Sequence, residues 1–579
     1  MKLLKKLSWF FKLEKWPYIT GILALSLVSL LNLIPPRVIG EVIDQIASKD
    51  LTNLELAYQL FILVLSALAM YALRFVWRKY ILGTANRLGR ILRYRLFEHF
   101  TRMSPSFYQT YRTGDLMAHA TNDINAVVGV AGGGVMSAVD ASITALVTIL
   151  TMFFVLDWRL TLIAILPLPF MAWGTSLIGR KNHESFKAAQ EAFSDLNNKV
   201  QESVSGIKVT KSFGYQDAET AAFARINQDV FKKNILAAKY NALFDPMVLI
   251  FVGLSYLLTL IFGGLFISQG RLTVGELVTF ITYLDMLVWP LQAMGYLFNI
   301  SQRGAVSYER IESLLAKESD VTEVASPIKD IKNGRLDYSI QKFAYDDRPT
   351  LRDIRFSIDQ GQTLGIVGVT GSGKTTLLRL LLREQDIQDG NICLAGHDIR
   401  DYSLSTLRSL IGYVPQDQIL FATSIRDNIR FGNPSLSDED VIAVTKLCGI
   451  YEDIMQMPDG FDTLVGERGV SLSGGQKQRL AMCRALILNP EILILDDSLS
   501  AVDAKTEHLI LDNLKRERFG KTTLITAHRL SAVVHADLIL VLDQGRIIES
   551  GSHQELLTQD GWYANTYQNQ QLAESLEEV

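Results

Sequence analysis

The segment Thr363-Leu-Gly-Ile-Val-Gly-Val-Thr-Gly-Ser-Gly-Lys-Thr-Thr-Leu-Leu-Arg-Leu380 decides the fold of the second half of this chain. Its centre, from Gly368 to Thr375, fits the pattern G-x-x-x-x-G-K-[ST] without a gap. An apolar run precedes the loop and a helical run follows it, which is the context that a phosphate-binding loop requires. Glycine-rich backbone at a helix start turns N–H groups toward phosphate. The sequence therefore predicts an α/β nucleotide-binding domain of the P-loop type.

This loop predicts ATP and Mg²⁺ as the cofactors of the domain. Lys374 is expected to reach the β- and γ-phosphates, and Thr375 to offer its hydroxyl to Mg²⁺. Asp496 is expected to be a second metal ligand, because Ile492-Leu-Ile-Leu-Asp496 has the pattern of a buried strand that ends in a carboxylate. The residues expected to surround the nucleotide are Gly368, Val369, Thr370, Gly371, Ser372, Gly373, Lys374, Thr375 and Thr376.

A second glycine-rich motif, Leu472-Ser473-Gly474-Gly475-Gln476, lies shortly before the Asp496 strand. Its backbone amides, again at a predicted helix start, can hold a γ-phosphate. A chain with both motifs resembles the ATP-binding cassette (ABC) family. The resemblance implies a head-to-tail dimer of nucleotide-binding domains. Each ATP would be held between the P-loop of one chain and the signature, here Ser473 to Gln476, of the other.

Five further motifs extend the resemblance along the domain. Tyr345 matches the aromatic residue that stacks on adenine, and Gln416 matches the glutamine that senses both Mg²⁺ and the transport domain. Asp503, in Ser-Ala-Val-Asp503, matches the loop that crosses the dimer interface. His528 matches the switch histidine that contacts the γ-phosphate. The segment 466–469 resembles the one by which exporters contact their coupling helices.

Asp497 occupies the position at which the family carries its catalytic glutamate. Aspartate is one methylene shorter, so its carboxylate falls roughly 1.5 Å short of the glutamate position. A displacement of about 1 Å at a reacting centre can cost on the order of 100-fold in rate. We therefore expect a degenerate site that binds ATP and cleaves it slowly. Because the signature is intact, the resemblance implies a heterodimer with a second half-transporter that carries the glutamate.

The first 300 residues have the composition of a membrane domain. Six long apolar stretches are each near or above the about 20 residues that a helix needs to cross a bilayer. They lie at roughly 17–40, 54–79, 127–156, 159–178, 246–268 and 273–299. The expected organisation is an all-α transmembrane domain of six helices over 1–315, a polar linker over 316–333, the ABC domain over 334–568, and a loosely ordered acidic tail over 569–579.

The distribution of Lys and Arg predicts the orientation of this domain in the cytoplasmic membrane. Positive charge is concentrated before the first stretch, between the second and third, and between the fourth and fifth, whereas the 41–53 connection is mainly acidic. The N-terminus, the two long loops and the ABC domain are therefore expected to be cytosolic. At the turning points of those loops, residues 104–116 and 205–215 resemble the coupling helices of ABC exporters.

Ionisable residues inside the apolar stretches mark a candidate substrate pathway, because burying them in lipid is costly. Asp140 and Asp285 have two interpretations of equal weight: a polar cavity that attracts cationic substrates, or pairing between helices, with Arg74 as a candidate partner. Asp245, beside Pro246, favours the structural interpretation.

The chain resembles a half-transporter of the exporter class, and most of all the degenerate-site half of bacterial heterodimeric multidrug exporters. This resemblance implies export of hydrophobic or amphipathic compounds. A lipid or peptide flippase of the same fold is the alternative, and a regulatory ATP-binding subunit is a third, disfavoured by the intact signature and His528. The net charge of −4 argues against a nucleic-acid partner. The three cysteines, all in the ABC domain, lack metal-ligand spacing.

Overall fold

A computed structural model of the chain describes residues 2–330, 334–345, 348–466 and 472–577. The chain divides into two compact units. The first consists of Met1–Thr101 with Gly114–Lys317, and the second of Arg102–Thr113 with Glu318–Val579.

Up to residue 317 the described chain is helical apart from short connections. The α-helices are α1 Lys2–Lys6, α2 Ser8–Leu13, α3 Lys15–Leu31, α4 Ile34–Ser48, α5 Asn53–Trp77, α6 Gly83–Arg102, α7 Pro105–Thr110, α8 Thr113–Ala118, α9 Ile124–Gly129, α10 Val135–Thr151, α11 Trp158–Ile165, α12 Pro167–Ser205, α13 Ile207–Ser212, α14 Gln216–Ala242, α15 Phe244–Ser268, α16 Val274–Met286 and α17 Val288–Leu315. Four π-helical turns, Arg78–Leu82, His119–Asp123, Val130–Gly134 and Met152–Leu156, continue these helices.

In the part of the chain that the structure describes, six helical runs are long and apolar enough to cross a membrane, which confirms the prediction of six spans. They are Lys15–Ser48, Asn53–Arg102, Thr113–Leu156, Trp158–Ser205, Gln216–Ser268 and Val274–Leu315. Several of these runs are much longer than the about 20 residues that a bilayer requires. The helices therefore continue beyond their apolar parts.

Side-chain caps begin the helices that follow the short connections. The Thr52 hydroxyl accepts a hydrogen bond from Glu55 N at 3.3 Å. Asp157 Oδ1 accepts from the N–H of Leu160 at 2.9 Å. These caps satisfy backbone donors that have no partner within the helix. They explain why new helices start directly after such tight turns.

The described residues of the second unit form two sheets and nine further α-helices. The strands are β1 Leu336–Tyr345, β2 Arg348–Ile358, β3 Thr363–Gly368, β4 Asp389–Leu394, β5 His397–Asp398, β6 Ile411–Val414, β7 Ile492–Asp496, β8 Thr522–Thr526, β9 Leu538–Asp543 and β10 Arg546–Gly551. The helices are α18 Lys374–Leu381, α19 Leu404–Ser409, α20 Ile425–Ile429, α21 Asp438–Leu447, α22 Tyr451–Met455, α23 Gly474–Leu486, α24 Ala504–Glu517, α25 His553–Thr558 and α26 Trp562–Glu577.

The larger sheet has six strands in the order β10-β9-β3-β8-β7-β6. The strands from β9 to β6 run parallel to one another, and β10 pairs antiparallel with β9. The smaller sheet is antiparallel, in the order β2-β1-β4-β5. All five residues of β7 and of β8 are buried, as expected for the centre of a parallel sheet that is covered on both faces. The predicted six-helix membrane domain and α/β nucleotide-binding domain are both confirmed.

Two segments differ from the sequence prediction. Part of the predicted linker belongs to the second unit: Ile328 N donates to Asp401 O at 2.8 Å, and the buried Arg383 donates to Thr322 O at 3.0 Å. Residues 569–577, predicted as a loosely ordered tail, continue helix α26 to Glu577. Residues 331–333 lie outside the described chain.

Candidate nucleotide-binding site

The candidate site lies at one edge of the six-stranded sheet. The carboxyl ends of β3, β8, β7 and β6 meet at this edge because the strands are parallel. The P-loop follows β3, and Asp496 is the last residue of β7. His528 and Gln416 follow β8 and β6 and are both exposed. Motifs that are far apart in the sequence therefore converge at one place.

The P-loop has a backbone that glycine permits. Gly371 and Gly373 have φ angles of 83° and 107°, in the left-handed region that other residues rarely adopt. A side chain at Gly368 would place its Cβ 2.0 Å from Leu542 O, whereas nothing lies within 4 Å of a Cβ at Gly371. The loop is thus fixed on the sheet side and open on the other side, as a phosphate cradle requires.

Lys374 lies inside this loop with its ammonium group bonded to the loop itself. Lys374 is 8% exposed, and its Nζ donates to Gly368 O at 2.8 Å and to Val369 O at 3.1 Å. Burial lowers the Lys374 pKa, although the carboxylates of Asp497 and Asp496 oppose the shift. The Ser372 hydroxyl is buried without a hydrogen-bond partner in the described chain. A buried cation and a free hydroxyl fit a polyphosphate ligand.

Asp496 is at the centre of a small network of oxygen ligands. Its Oδ1 accepts from the Thr375 hydroxyl at 3.0 Å and from the Thr526 hydroxyl at 2.8 Å. Its Oδ2 accepts from the Tyr413 hydroxyl at 3.3 Å. A hydroxyl beside a carboxylate is a suitable set of oxygen ligands for Mg²⁺.

These oxygen ligands fit the predicted metal. Thr375 and Asp496 are the residues that would hold Mg²⁺. Within the described chain, no group of three His, Cys, Asp or Glu side chains has metal-binding geometry. Mg²⁺ commonly completes its coordination with substrate phosphates and water. When bound, the ion would neutralise charge that develops on the phosphates.

Asp497 has a backbone conformation that its neighbours hold in place. Its φ angle is 46°, in the left-handed region, where aspartate is enriched among residues other than glycine. Its N–H donates to Thr526 O at 3.1 Å and to the Thr526 hydroxyl at 2.9 Å. Its carbonyl oxygen accepts from the Ser500 hydroxyl at 3.0 Å.

The electrostatic surroundings of the Asp497 carboxyl favour its protonated form. Burial raises the Asp497 pKa, and the adjacent Asp496 carboxylate raises it further, against the opposing effects of His528 and Lys374. The side chain is therefore a stronger base than an exposed aspartate. A carboxylate is suited to proton transfer, and Asp497 differs from glutamate in the length of its side chain.

The signature lies at the start of α23, as predicted. Ser473 is the N-cap of the helix and forms a capping box with Gln476, with a distance of 3.3 Å from Gln476 N to the Ser473 hydroxyl. A Cβ at Gly475 would lie 2.9 Å from Ala501 O, whereas a Cβ at Gly474 would lie 3.7 Å from the Ala501 side chain. Only Gly475 is thus in close contact with the loop of residues 500–503, which we call the interface loop.

Gln478 connects the same two elements through its buried amide. Gln478 Oε1 accepts from Ala501 N at 3.0 Å. The interface loop ends at Asp503, whose carboxylate caps α24 by accepting from Thr506 N at 3.0 Å. Of the segment 466–469, residues 467–469 lie outside the described chain.

Three residues near these motifs had no functional role in the sequence prediction. Thr526 bonds both Asp496 and Asp497, and Tyr413 bonds Asp496. Gln570, in α26, bonds the backbone around His528. Tyr345, predicted to stack on adenine, lies at the end of β1 and lines a small cavity with Arg379.

The two aspartates of the candidate substrate pathway each bond an aromatic side chain on another helix. Trp289 Nε1 donates to Asp140 Oδ2 at 3.3 Å. The Tyr256 hydroxyl donates to Asp285 Oδ1 at 3.1 Å. Asp285 and Trp289 are exposed in the first unit. Trp289 is therefore a hydrogen-bond partner of Asp140 that the sequence did not indicate, and Arg74, the predicted partner, also interacts electrostatically with this carboxylate.

A six-span membrane unit joined to a P-loop unit with a signature defines a membrane transporter driven by ATP. The profile of the family described as "ABC transporter transmembrane region" matches residues 18–291. The profile of the family described as "ABC transporter" matches residues 351–500. The chain belongs to the ABC transporter family.

Relatives and a solved structure match over nearly the whole chain. A probable multidrug resistance ABC transporter ATP-binding/permease protein, YheI of Bacillus subtilis, is 44% identical over 98% of both chains. The multidrug resistance-like ATP-binding protein MdlA of Escherichia coli is 41% identical over 100% of this chain and 98% of its own.

More distant similarities extend the comparison. An ATP-dependent lipid A-core flippase of Syntrophus aciditrophicus is 34% identical over 84% of this chain and 80% of its own. The structure of a bacterial Atm1-family ABC exporter with ATP bound has a TM-score of 0.81 and 28% identity, and the match covers 96% of this chain and 99% of that one. The chain has the fold of an ABC exporter.

Proposed function

We propose that this chain is one half of a heterodimeric exporter in which its own ATP site is weakly hydrolytic. Asp497 carries the proposal. The rest of the site has the groups that ATP binding requires, including Lys374, Thr375 and Asp496. The expected defect concerns hydrolysis and leaves nucleotide binding intact.

The hydrogen bonds of the Asp497 main chain support the proposed defect in ATP hydrolysis. Its peptide N–H bonds Thr526 at two atoms, and its carbonyl oxygen accepts from Ser500. A main chain held in this way cannot move forward easily to compensate for a shorter side chain. A displacement of about 1 Å is enough to lower a rate on the order of 100-fold. The raised pKa of Asp497 does not compensate for the distance by which its carboxylate falls short of the glutamate position.

The intact signature supports pairing with a different chain. Two copies of this chain would make two slow sites. A partner with glutamate at the matching position would make one competent site, completed by Ser473 to Gln476 of this chain. Its second site would mainly hold ATP.

For the cargo, we propose hydrophobic or amphipathic compounds, including cationic ones. The names of the Bacillus subtilis and Escherichia coli relatives support this class. Asp140 and Asp285 each lie beside an aromatic ring and would offer negative charge to a lipophilic cation. Lipid is the second candidate, because one relative is a lipid A-core flippase.

We further propose that the N-terminus, the ABC domain and the two coupling segments, 104–116 and 205–215, are cytosolic in the cytoplasmic membrane. The concentration of Lys and Arg in these parts supports this orientation. Helix α7 supports a coupling role for the first segment, because it belongs to the same unit as the ABC domain and Ser106 bonds Asp320 there. ATP binding would close the two ABC domains and turn the cavity outward.

The ATPase rate of the purified chain without a partner tests the degenerate site. We expect a low rate for the wild type and an increase of roughly 10-fold or more for Asp497→Glu, since the longer side chain recovers the missing distance. Lys374→Ala in the Asp497→Glu background is the control and should remove the gain. A wild-type rate equal to that of Asp497→Glu would contradict a degenerate site.

Transport into inside-out membrane vesicles tests the cargo and the orientation. With ATP added outside, we expect uptake of a fluorescent lipophilic cation, and a loss of roughly 5-fold or more when Asp140 and Asp285 are both replaced by Asn. An uncharged amphipathic dye should be affected much less. Uptake that needs ATP inside the vesicle would contradict the orientation. Movement of labelled phospholipid without dye uptake would favour the flippase.

A further inference from the structure

The side chain of Gln570 joins the C-terminal helix to the segment that carries His528. Gln570 Nε2 donates to His528 O at 2.9 Å, and Gln570 Oε1 accepts from Leu530 N at 2.8 Å. One carboxamide thus bonds the backbone on both sides of Arg529. Both contacts are with the main chain and leave the His528 ring free to contact a ligand.

The direction of Gln570 follows from how α26 is held. Tyr563, Tyr567 and Gln570 are spaced four and three residues apart, so they lie on one face of the helix. Tyr563 is fully buried, and its hydroxyl bonds His553 Nδ1 at 2.8 Å. The Glu549 carboxylate accepts from Tyr563 N at 3.1 Å at the helix start. These contacts fix the rotation of the helix.

Gln570 differs in this respect from its neighbours in the run Gln568-Asn-Gln-Gln571. Gln570 is half-buried, whereas the other three residues of the run are exposed. Gln571 Nε2 donates to the Tyr567 hydroxyl at 3.0 Å within the same helix. The run therefore contains a natural comparison between a glutamine that bonds the switch segment, residues 528–531, and one that does not.

A second element holds the switch segment from α24. The buried Glu507 carboxylate accepts from the Ser531 hydroxyl at 2.9 Å, and Arg529 lies 3.8 Å from it. Glu507 thus bonds side chains of the segment, whereas Gln570 bonds its backbone next to His528. Of the two elements, α26 is the one that bonds the main chain of His528.

We propose that Gln570 is a positioning residue for His528 and that it makes the C-terminal helix a part of the ATP site. The inference rests on the proposed function as an ATP-driven exporter and on the contact of His528 with the γ-phosphate that the family resemblance implies. It is independent of whether the exporter is a heterodimer. Two neutral hydrogen bonds shift a conformational equilibrium by roughly 5- to 30-fold. Losing them should therefore weaken ATP binding by a measurable factor and leave ADP, which lacks the γ-phosphate, nearly unaffected.

The test is the ratio of ATP to ADP affinity of the purified full-length chain, measured with trinitrophenyl-ATP and trinitrophenyl-ADP in the presence of Mg²⁺. We expect His528→Ala and Gln570→Ala each to lower ATP affinity roughly 5-fold or more, with ADP affinity changed less than about twofold. The double variant should resemble His528→Ala alone, because both changes remove the same contact. Gln571→Ala is the matched control and should behave as wild type.

Gln570→Glu separates the two hydrogen bonds. It keeps an acceptor for Leu530 N–H and loses the donor to His528 O, so we expect it to lower ATP affinity as Gln570→Ala does. Thermal unfolding of the chain without nucleotide checks that α26 is still folded in this variant. A wild-type ratio in Gln570→Glu would overturn the positioning role.

The remaining outcomes also decide the inference. If His528→Ala lowers the ratio and Gln570→Ala does not, Gln570 has no positioning role. If Gln570→Ala weakens ATP and ADP equally, the residue only supports the fold. If His528→Ala leaves the ratio unchanged, the proposed role of His528 is wrong and the inference is wrong with it.

Discussion

At the scale of single residues, Lys374 illustrates how the site is prepared for a ligand. Its ammonium group is bonded to two carbonyl oxygens of its own loop, which are weaker partners than a phosphate would be. Lys374→Ala should therefore weaken ATP binding at this chain's own site by roughly 10- to 100-fold, the loss of hydrogen bonds to a charged group. Binding of a fluorescent ATP analogue to the purified chain measures the effect.

Lys505→Ala is the control for this substitution. Lys505 is exposed in α24 and carries the same charge, outside the loop. The control should bind ATP as the wild type does. Equal losses in both variants would mean that general charge attracts the nucleotide, and wild-type affinity of Lys374→Ala would rule out the P-loop as the binding site.

The residues of the motifs could be predicted from the sequence, but their supporting contacts could not. The pattern from Gly368 to Thr375 depends on residue type and spacing alone. Thr526 and Tyr413 are ordinary strand residues by type. Their contacts with Asp496 depend on the pairing of β6, β7 and β8, which brings residues together that the sequence separates. Spacing along one segment carries no information about that register.

At the scale of elements, α23 and the interface loop are in contact at Gly475. A methyl group there would lie 2.9 Å from Ala501 O, and one at Gly474 would meet Ala501 at 3.7 Å, an ordinary contact. Gly475→Ala should therefore displace the interface loop of its own chain as well as alter the signature. We expect ATPase activity of the proposed heterodimer to fall roughly 10-fold more for Gly475→Ala than for Gly474→Ala, since overpacking costs about 1–3 kcal/mol.

Steady-state ATPase rates of the two variants, purified with the proposed partner chain, measure this difference. Gly474→Ala is the matched comparison, because it adds the same methyl group to the signature. Equal losses would mean that the partner's nucleotide, and not the interface loop, determines the requirement for glycine.

The elements show where the sequence pattern is informative. Apolar length predicted all six spans, because crossing a bilayer has a minimum length. It could not predict π-helical turns such as Val130–Gly134, which depend on how neighbouring helices pack. The acidic composition after Gln568 led to the expectation of a loose tail. The two tyrosines at Tyr563 and Tyr567 were the available signal that α26 packs against the domain.

At the scale of the whole molecule, the two units could be predicted because their compositions differ. Their boundaries depend on tertiary contacts. Residues 318–330 are polar and were predicted as linker, yet Ile328 pairs with Asp401 and Arg383 holds Thr322. Helix α7 lies between two helices of the membrane domain in sequence and belongs to the second unit. Such an exchange of segments between units leaves no trace in composition.

The proposed asymmetry of the dimer makes a prediction about two substitutions in the same chain. In the complex with its partner, Asp497→Asn should lower steady-state ATPase activity by less than about threefold, because the residue that it alters contributes little to turnover. Gly475→Asp should lower the activity more than about 10-fold, because the signature of this chain completes the competent site.

Gly475→Asp also introduces a side chain against the interface loop, so Ser473→Ala, which adds no bulk, should be measured beside it. Ser473 caps α23, and its loss should lower activity more than Asp497→Asn does. If Asp497→Asn is as damaging as Gly475→Asp and Ser473→Ala, then this chain supplies a working catalytic base and the two ATP sites are equivalent.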